Sequence, residues 1–226
     1  MKRILPLLIG FTFIFAVNVH AFEKLNLNID KKKLDAGKLQ TFTIEMKGEG
    51  EGKKKRAVGV LLINAPNEKV WKYLCQWETM GEFVPGLEYY KTVKVIKPIE
   101  KDTVGETLIE GKLNFPLLTV VYTLDIKFDE SNMRQEWSLI TPAMEEESKK
   151  QGKKMTRATS GLKNVEGFQY MEPYDNGKKT VYYYAPIVET SVPVPAFAER
   201  FITKSTLPGY MEGLKKRVES NGTYKK

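Results

Sequence analysis

Apolar residues recur at every second position over most of the chain, and at helical spacing in only two places. Phe42, Ile44 and Met46 alternate with polar residues, and so do Val58, Val60 and Leu62. Between them lies Gly48-Glu49-Gly50-Glu51-Gly52-Lys53, a turn by composition, so 39–64 is expected to be a hairpin. The segment Asn64-Ala65-Pro66-Asn67-Glu68 then has the signature of a helix start. Proline is tolerated in a first turn, and Glu68 complements the positive end of the helix dipole. Val70, Trp71 and Leu74 supply its apolar stripe. A second short helix is expected over 78–83, ending at Pro85-Gly86.

From Leu87 the period returns to two, with strands expected near 88–97, 103–113, 117–128, 132–141, 163–173 and 179–189. Leu118, Val120, Tyr122, Leu124, Ile126 and Phe128 mark one face most clearly. Asp175-Asn176-Gly177-Lys178 is a hairpin turn between the last two strands. Residues 145–160 are charged without apolar period and are expected to form an exposed loop. After Pro193 and Pro195, the side chains Phe197, Phe201, Met211, Leu214 and Val218 fall near helical spacing, with Pro208-Gly209 a place for a kink. Long strands without intervening helices imply an antiparallel sheet. One long amphipathic helix covers a single face of such a sheet, so the sheet must curve around it. The fold class is therefore α+β.

The first residues carry a different signal. Lys2 and Arg3 precede an apolar run from Ile4 to Val17, followed by Val19-His20-Ala21 with small residues where a signal peptidase reads. The run is shorter than the roughly 20 residues of a spanning helix. Residues 1–21 are thus expected to be a cleaved signal peptide, 22–38 an extended and partly mobile lead-in, 39–220 a single domain and 221–226 a tail. The expected location is the periplasm.

That reading constrains the chemistry. The chain has one His and one Cys, and the His, His20, departs with the signal peptide. A Ser-His-Asp triad, a Cys-His pair and a His metal site then lack their central residue. Cys75 lies in a helical pattern beside Leu74 and reads as a small buried apolar residue. Glu82, Glu88 and Glu110 are unpaired by spacing and read as solvated carboxylates. No catalytic residue, metal site or cofactor is expected. The formal charge of +8 falls by two when Lys2 and Arg3 are removed. Lys53-Lys54-Lys55-Arg56, Lys149 to Arg157 and Lys215-Lys216-Arg217 are the basic clusters. They read as solvated surface, or as peripheral contacts with anionic lipid. Nucleic acid is not an expected partner of an exported chain.

Several segments together resemble the START-like superfamily, also called SRPBCC, in its coenzyme-Q-binding and polyketide-cyclase-like branch. Ile63-Asn64-Ala65-Pro66-Asn67-Glu68-Lys69-Val70-Trp71 resembles that family's entry into its first helix. Gly81-Glu82-Phe83-Val84-Pro85-Gly86-Leu87 resembles its short second helix and the exit into the next strand. Gly167-Phe168-Gln169-Tyr170-Met171-Glu172-Pro173, followed by Asp175-Asn176-Gly177, resembles its penultimate hairpin. The closing helix after Pro195 fits as well. The resemblance covers about 40–220. The sequence departs from it in Cys75-Gln76-Trp77-Glu78-Thr79-Met80, where many members keep an acidic residue and a tyrosine, and in the longer charged segment 145–160.

The resemblance implies a helix-grip fold, with two short helices after the first hairpin and a cavity between the curved sheet and the C-terminal helix. Periodicity alone favours a solid core, and it is the resemblance that turns the expectation to a cavity. If the cavity is present, its ligand-binding side chains are expected to include Tyr122, Trp137, Phe168, Tyr170, Phe197 and Phe201, with Phe83 and Val84 near its mouth. The implied function is a periplasmic binding or carrier protein for a hydrophobic small molecule such as a lipid, isoprenoid or quinone. The alternatives are a cyclase- or dehydratase-type enzyme using the same cavity, and an accessory protein to another periplasmic enzyme. An occupied cavity favours the first. A small cavity with an exposed apolar patch favours the accessory role.

Overall fold

The computed structural model describes residues 24–47, 53–100, 103–115, 118–153, 155–159, 162–190 and 206–226. The signal-peptide segment, the glycine-rich turn after Lys47, and the stretch carrying Pro193, Pro195, Phe197 and Phe201 lie outside them.

Eight strands form one sheet: β1 (Gln40–Lys47), β2 (Lys53–Ile63), β3 (Leu87–Lys97), β4 (Val104–Phe115), β5 (Leu118–Asp129), β6 (Arg134–Leu139), β7 (Leu162–Tyr174) and β8 (Lys179–Thr190). Their order is β1-β2-β8-β7-β6-β5-β4-β3, and every neighbouring pair is antiparallel. The β7–β8 turn places Asp175, Asn176 and Gly177 at φ of 52°, 53° and 79°. Asn, Asp and Gly tolerate these left-handed values better than other residues do.

The helices among the described residues are α1 (Lys31–Asp35), α2 (Asn67–Leu74), α3 (Pro142–Lys150) and α4 (Leu207–Glu219), with a 3-10 helix at Trp77–Glu82. The two short helices between β2 and β3 thus form where the sequence places them. None of the described helices is long and apolar enough to cross a membrane. Pro208 does not kink α4; it sits in the first turn, where its missing N–H costs no hydrogen bond.

The concave face of the sheet holds α2, the 3-10 helix and α4. Ile109, Val120, Leu124, Ile126 and Phe128 belong to one buried core with Met211, Leu214 and Val218, and α4 itself packs on β2, β8 and α2. Gly59 makes the approach of α4 to β2 possible: a β-carbon at this position would overlap the Met211 sulfur and come within 2.8 Å of Leu207 Cδ2. The far end of α4 is tied to the β2–α2 turn. Glu219 Oε1 accepts from both the backbone N–H and the side-chain amide of Asn64, at 2.8 and 2.9 Å. Thr180 on β8 donates to Ala65 O at 2.7 Å and is 2.9 Å from Asn67 Oδ1, fixing the start of α2 against the sheet.

The convex face is covered at two places. Residues 24–38 pack over β1, β2, β8 and β7, where Leu25, Leu27, Ile29 and Leu34 meet Val58, Val60, Leu62, Phe168, Tyr170 and Tyr183. The expected mobile lead-in is therefore an integral layer, held by burial of Leu34 (5% exposed) and by the Leu25 N–H bonding to Tyr170 OH at 3.2 Å.

The second cover corrects another expectation. Residues 145–150, expected as part of an exposed loop over 145–160, belong to helix α3 (Pro142–Lys150). Thr141 caps it by accepting from Met144 N–H at 3.2 Å, and Pro142 occupies its first turn. Without an apolar period the helix was invisible, because only Ser148 of its nine residues is buried. The chain after α3 returns along β5: Thr123 N–H donates to Arg157 O at 3.2 Å and Thr159 N–H to Val121 O at 2.8 Å.

Candidate functional site: an aromatic chamber beneath the C-terminal helix

Strands β3 to β8 direct their concave-facing side chains towards α4, and a chamber of about 90 Å³ remains between them. Tyr90, Tyr122, Trp137, Tyr184 and Tyr210 form much of its wall, with Trp77, Leu113, Val165 and Val188. Register explains the grouping. Tyr90 and Tyr122 both face Gly111 on β4, one from β3 and one from β5. Trp137 stands opposite Gly167 on β7. A β-carbon at Gly167 would overlap the Trp137 indole, so glycine there lets the ring lie flat across β7.

The aromatic groups are stacked. Tyr184 lies between Trp137 and Tyr210, with ring centroids 5.6 and 4.4 Å away. The Tyr90 and Tyr122 rings are perpendicular at 6.5 Å, and their hydroxyls are 3.1 Å apart. Such offset and edge arrangements suit the aromatic quadrupole.

A polar network runs beneath the rings. Gln135 on β6 and Gln169 on β7 are cross-strand partners, 2% and 4% exposed. Gln169 Nε2 donates to Gln135 Oε1 at 2.5 Å. Gln169 Oε1 accepts from the hydroxyls of Tyr182 and Tyr210, the latter at 3.2 Å. Two hydroxyl donors on one oxygen set the orientation of the Gln169 amide, and that in turn sets Gln135. Gln135 also lines the chamber, and its Nε2 donates to Cys75 Sγ at 3.7 Å, a weak acceptor. The Tyr184 hydroxyl makes no hydrogen bond among the described residues. The chamber therefore presents neutral polar side chains within apolar walls.

Burial pushes the hydroxyls of Tyr90, Tyr122, Tyr182, Tyr184 and Tyr210 upward, those of Tyr122, Tyr182 and Tyr184 well above the ordinary tyrosine range. Loss of water disfavours the phenolate. All five remain protonated at neutral pH and act as donors, not bases. Burial likewise raises the Cys75 thiol to about 12.

Of the side chains expected to bind ligand, Tyr122 and Trp137 line the chamber. Phe83 and Val84 do not stand at its mouth. They are 1% and 6% exposed beneath the last turns of α4, where the Arg217 guanidinium lies 5.8 Å from the Phe83 ring and Lys226 Nζ donates to Val84 O at 2.7 Å. Phe168 and Tyr170 face the opposite way, into the convex layer. The Phe168 ring is flanked by Arg134 at 4.5 Å and Arg56 at 5.3 Å, and Tyr170 stacks on Tyr183 at 4.2 Å. The parity was misread because Phe168, Gln169, Tyr170 and Met171 are all buried, so apolar character does not distinguish the two faces. Phe197 and Phe201 lie outside the described residues.

Tyr90, Gln135, Gln169, Tyr184 and Tyr210 were not anticipated. Gln135 was within reach: it shares the parity of Trp137, so an inward Trp137 entails an inward Gln135.

The carboxylates singled out in the sequence lie elsewhere. Glu82 pairs with Arg217 at 3.0 Å, Glu88 with Lys112 at 2.9 Å, and Glu110 accepts from Tyr89 OH at 3.0 Å. Several members of the basic clusters are committed internally, among them Arg56 to Glu166 at 2.9 Å, Arg217 to Glu82, and Lys215, which donates to Leu62 O at 2.7 Å. Among the described residues no three His, Cys, Asp or Glu side chains gather as a metal-ligand set.

No family model matches the chain, and no curated protein matches it by sequence. Solved structures do. A START superfamily protein from Mycobacterium smegmatis is 12% identical with a TM-score of 0.55, covering 74% of this chain and 98% of its own. The Zhui aromatase/cyclase from Streptomyces sp. R1128 is 10% identical with a TM-score of 0.53, covering 80% and 96%. A STAR-related lipid transfer protein fragment from Xanthomonas axonopodis is 11% identical with a TM-score of 0.53, covering 80% and 93%. What is shared at this identity is the fold, and the chain has the START-like helix-grip fold that its sequence resembles. The neighbours include both enzymes and transfer proteins, so the fold alone does not choose between them.

Proposed function

We propose that this protein is an exported, periplasmic binding or carrier protein for a hydrophobic small molecule such as a lipid, isoprenoid or quinone, taken up in the chamber beneath α4. The carrying observation is the set of neutral polar side chains, Gln135, Gln169 and the tyrosines Tyr90, Tyr122, Tyr184 and Tyr210, inside walls of Trp77, Trp137, Leu113 and Val165. Ligand pockets are mostly apolar with a few placed polar groups. The START-like fold supports the reading, since one structural neighbour is a lipid transfer protein. Protonated tyrosines favour holding a ligand over proton abstraction from it. Export rests on Lys2-Arg3, the apolar run and Val19-His20-Ala21.

The chamber of about 90 Å³ is below the roughly 300–1,000 Å³ of ligand pockets. Uptake then requires the Trp137–Tyr184–Tyr210 stack to part. Val188, 37% exposed on β8, borders the chamber from solvent and is the place to block it. Val188→Trp is expected to abolish saturable binding of fluorescent lipids and quinone analogues and leave thermal stability unchanged. Native mass spectrometry of protein from its own periplasm, with organic extraction, identifies the ligand. Protein that carries nothing and binds no member of the panel defeats the proposal.

The accessory reading has one observation in its favour. Val95 and Val104, 53% and 43% exposed, stand near the β3–β4 turn, and the chamber is small. A specific cross-link from a residue substituted at Val95 to another periplasmic protein supports it.

A further inference from the structure

A larger opening lies on the convex side, away from the chamber. Helix α3 stands off β3 and β4 and leaves a cleft of about 470 Å³. Its floor and walls are apolar: Leu108 from β4, Val93 and Ile96 from β3, Met144 from α3 and Met155 from the returning chain. Leu108 is 1% exposed, but Val93 and Ile96 are 37% and 41% exposed, so the strand side is left uncovered.

The cleft is built, not incidental. Thr141 caps the helix. Ser148, 2% exposed, donates to Lys153 O at 3.2 Å and accepts from Met155 N–H at 3.3 Å, which fixes the far wall. Thr123 Oγ1 donates to Thr156 O at 2.8 Å and locks the returning chain onto β5.

Charge completes the picture. Lys94 and Lys153 also line the cleft. Neither ammonium makes an ion pair or hydrogen bond among the described residues. The acidic side chain there, Glu147, is engaged by Gln151 Nε2 at 2.7 Å. Two lysines without an ion pair among the described residues and one carboxylate therefore line an apolar trough, a net positive balance, and its volume is within the range of small-molecule sites.

We propose that the cleft between α3 and strands β3 and β4 is a second binding site, for a single-chain amphiphile with one anionic head group. The chain lies on Leu108, Val93, Ile96, Met144 and Met155, and the head group meets Lys94 and Lys153. Apolar burial supplies the affinity, and the lysines select the sign of the head group.

Dodecanoate is the probe, titrated calorimetrically into the full-length protein below its micellar concentration, alongside dodecanol and dodecyltrimethylammonium. Dodecanoate is expected to bind saturably at one site and the cationic analogue not to bind there. Lys94→Glu/Lys153→Glu is expected to weaken dodecanoate about tenfold, a shift of the size that two partly exposed charge contacts and their reversal produce. Dodecanol should be insensitive to that change. Val93→Glu, at an exposed position the fold tolerates, should weaken both. Val188→Trp, which blocks the other chamber, should leave dodecanoate binding intact, so failure of one site does not imply failure of the other. Absence of saturable dodecanoate binding overturns the proposal. So does equal binding of all three head groups, or binding lost with Val188→Trp and untouched by Val93→Glu.

Discussion

Gln135 and Gln169 face each other across β6 and β7, buried, with their amides 2.5 Å apart, and through them the floor of the chamber is tied to α4. Gln169 holds the hydroxyls of Tyr182 on β8 and Tyr210 on α4 at a single oxygen. The pair is thus both a structural clasp and part of the chamber lining.

Its two halves are expected to differ in cost. Gln169→Leu leaves the Tyr182 and Tyr210 hydroxyls and Gln135 Oε1 without their partner. Each buried group so stranded costs about 1–3 kcal/mol. Gln135→Leu strands only Gln169 Nε2. Denaturant melts should therefore rank Gln169→Leu as clearly the more damaging. Equal effects would mean the network is not organised around Gln169.

Gly59 and Met211 form a tight contact between β2 and α4. Gly59→Ala forces the Met211 thioether aside and is expected to destabilise the protein by about 1–3 kcal/mol, the range of overpacked cores. The double variant Gly59→Ala/Met211→Ala should be less unstable than the sum of the single changes. A double-mutant cycle with no coupling energy contradicts the packing described.

The tyrosines predict a pH limit. In Tyr122, Tyr182 and Tyr184 burial raises the folded-state pKa above the unfolded value near 10. Below that value both states are protonated and these groups add no pH dependence. Above it the unfolded chain loses protons that the folded chain keeps, so stability falls as pH rises. Absorbance at the phenolate band should show a group of tyrosines ionising only together with unfolding. Smooth titration of every tyrosine near pH 10 in the folded protein would refute the burial.

Cys75 should behave as an inert thiol. Its pKa is pushed up to about 12 by burial. At pH 8 its thiolate fraction is about a thousandfold below that of a free cysteine, since reactivity follows the thiolate. A disulfide reagent should label it slowly in the folded protein and promptly in denaturant. Fast labelling of the native chain would place Cys75 at an open surface.

Much of the architecture was legible because alternation and turn chemistry are local. The strand pattern of Leu118 to Phe128 and the Asp175-Asn176-Gly177 turn reappear at their expected places. So does the helix that begins after Asn64-Ala65-Pro66, though its first helical residue is Asn67. Helix α3 was not legible, because a helix that buries a single serine leaves no stripe to detect.

The site was legible only in part. Tyr122 and Trp137 lie on strands whose two faces differ in polarity, so alternation by itself sets their direction. Phe168 and Tyr170 lie on β7 and Tyr183 on β8, where both faces are covered, one by α4 and one by residues 24–38. There, hydrophobicity carries no parity, and only the register of β7 with β6 and β8 decides that Gln169 points inward and the aromatics outward. The size of the chamber was likewise a tertiary outcome, set by how closely Gly59 lets α4 approach and how Trp137, Tyr184 and Tyr210 stack, because contacts between residues far apart in the chain leave no period in it.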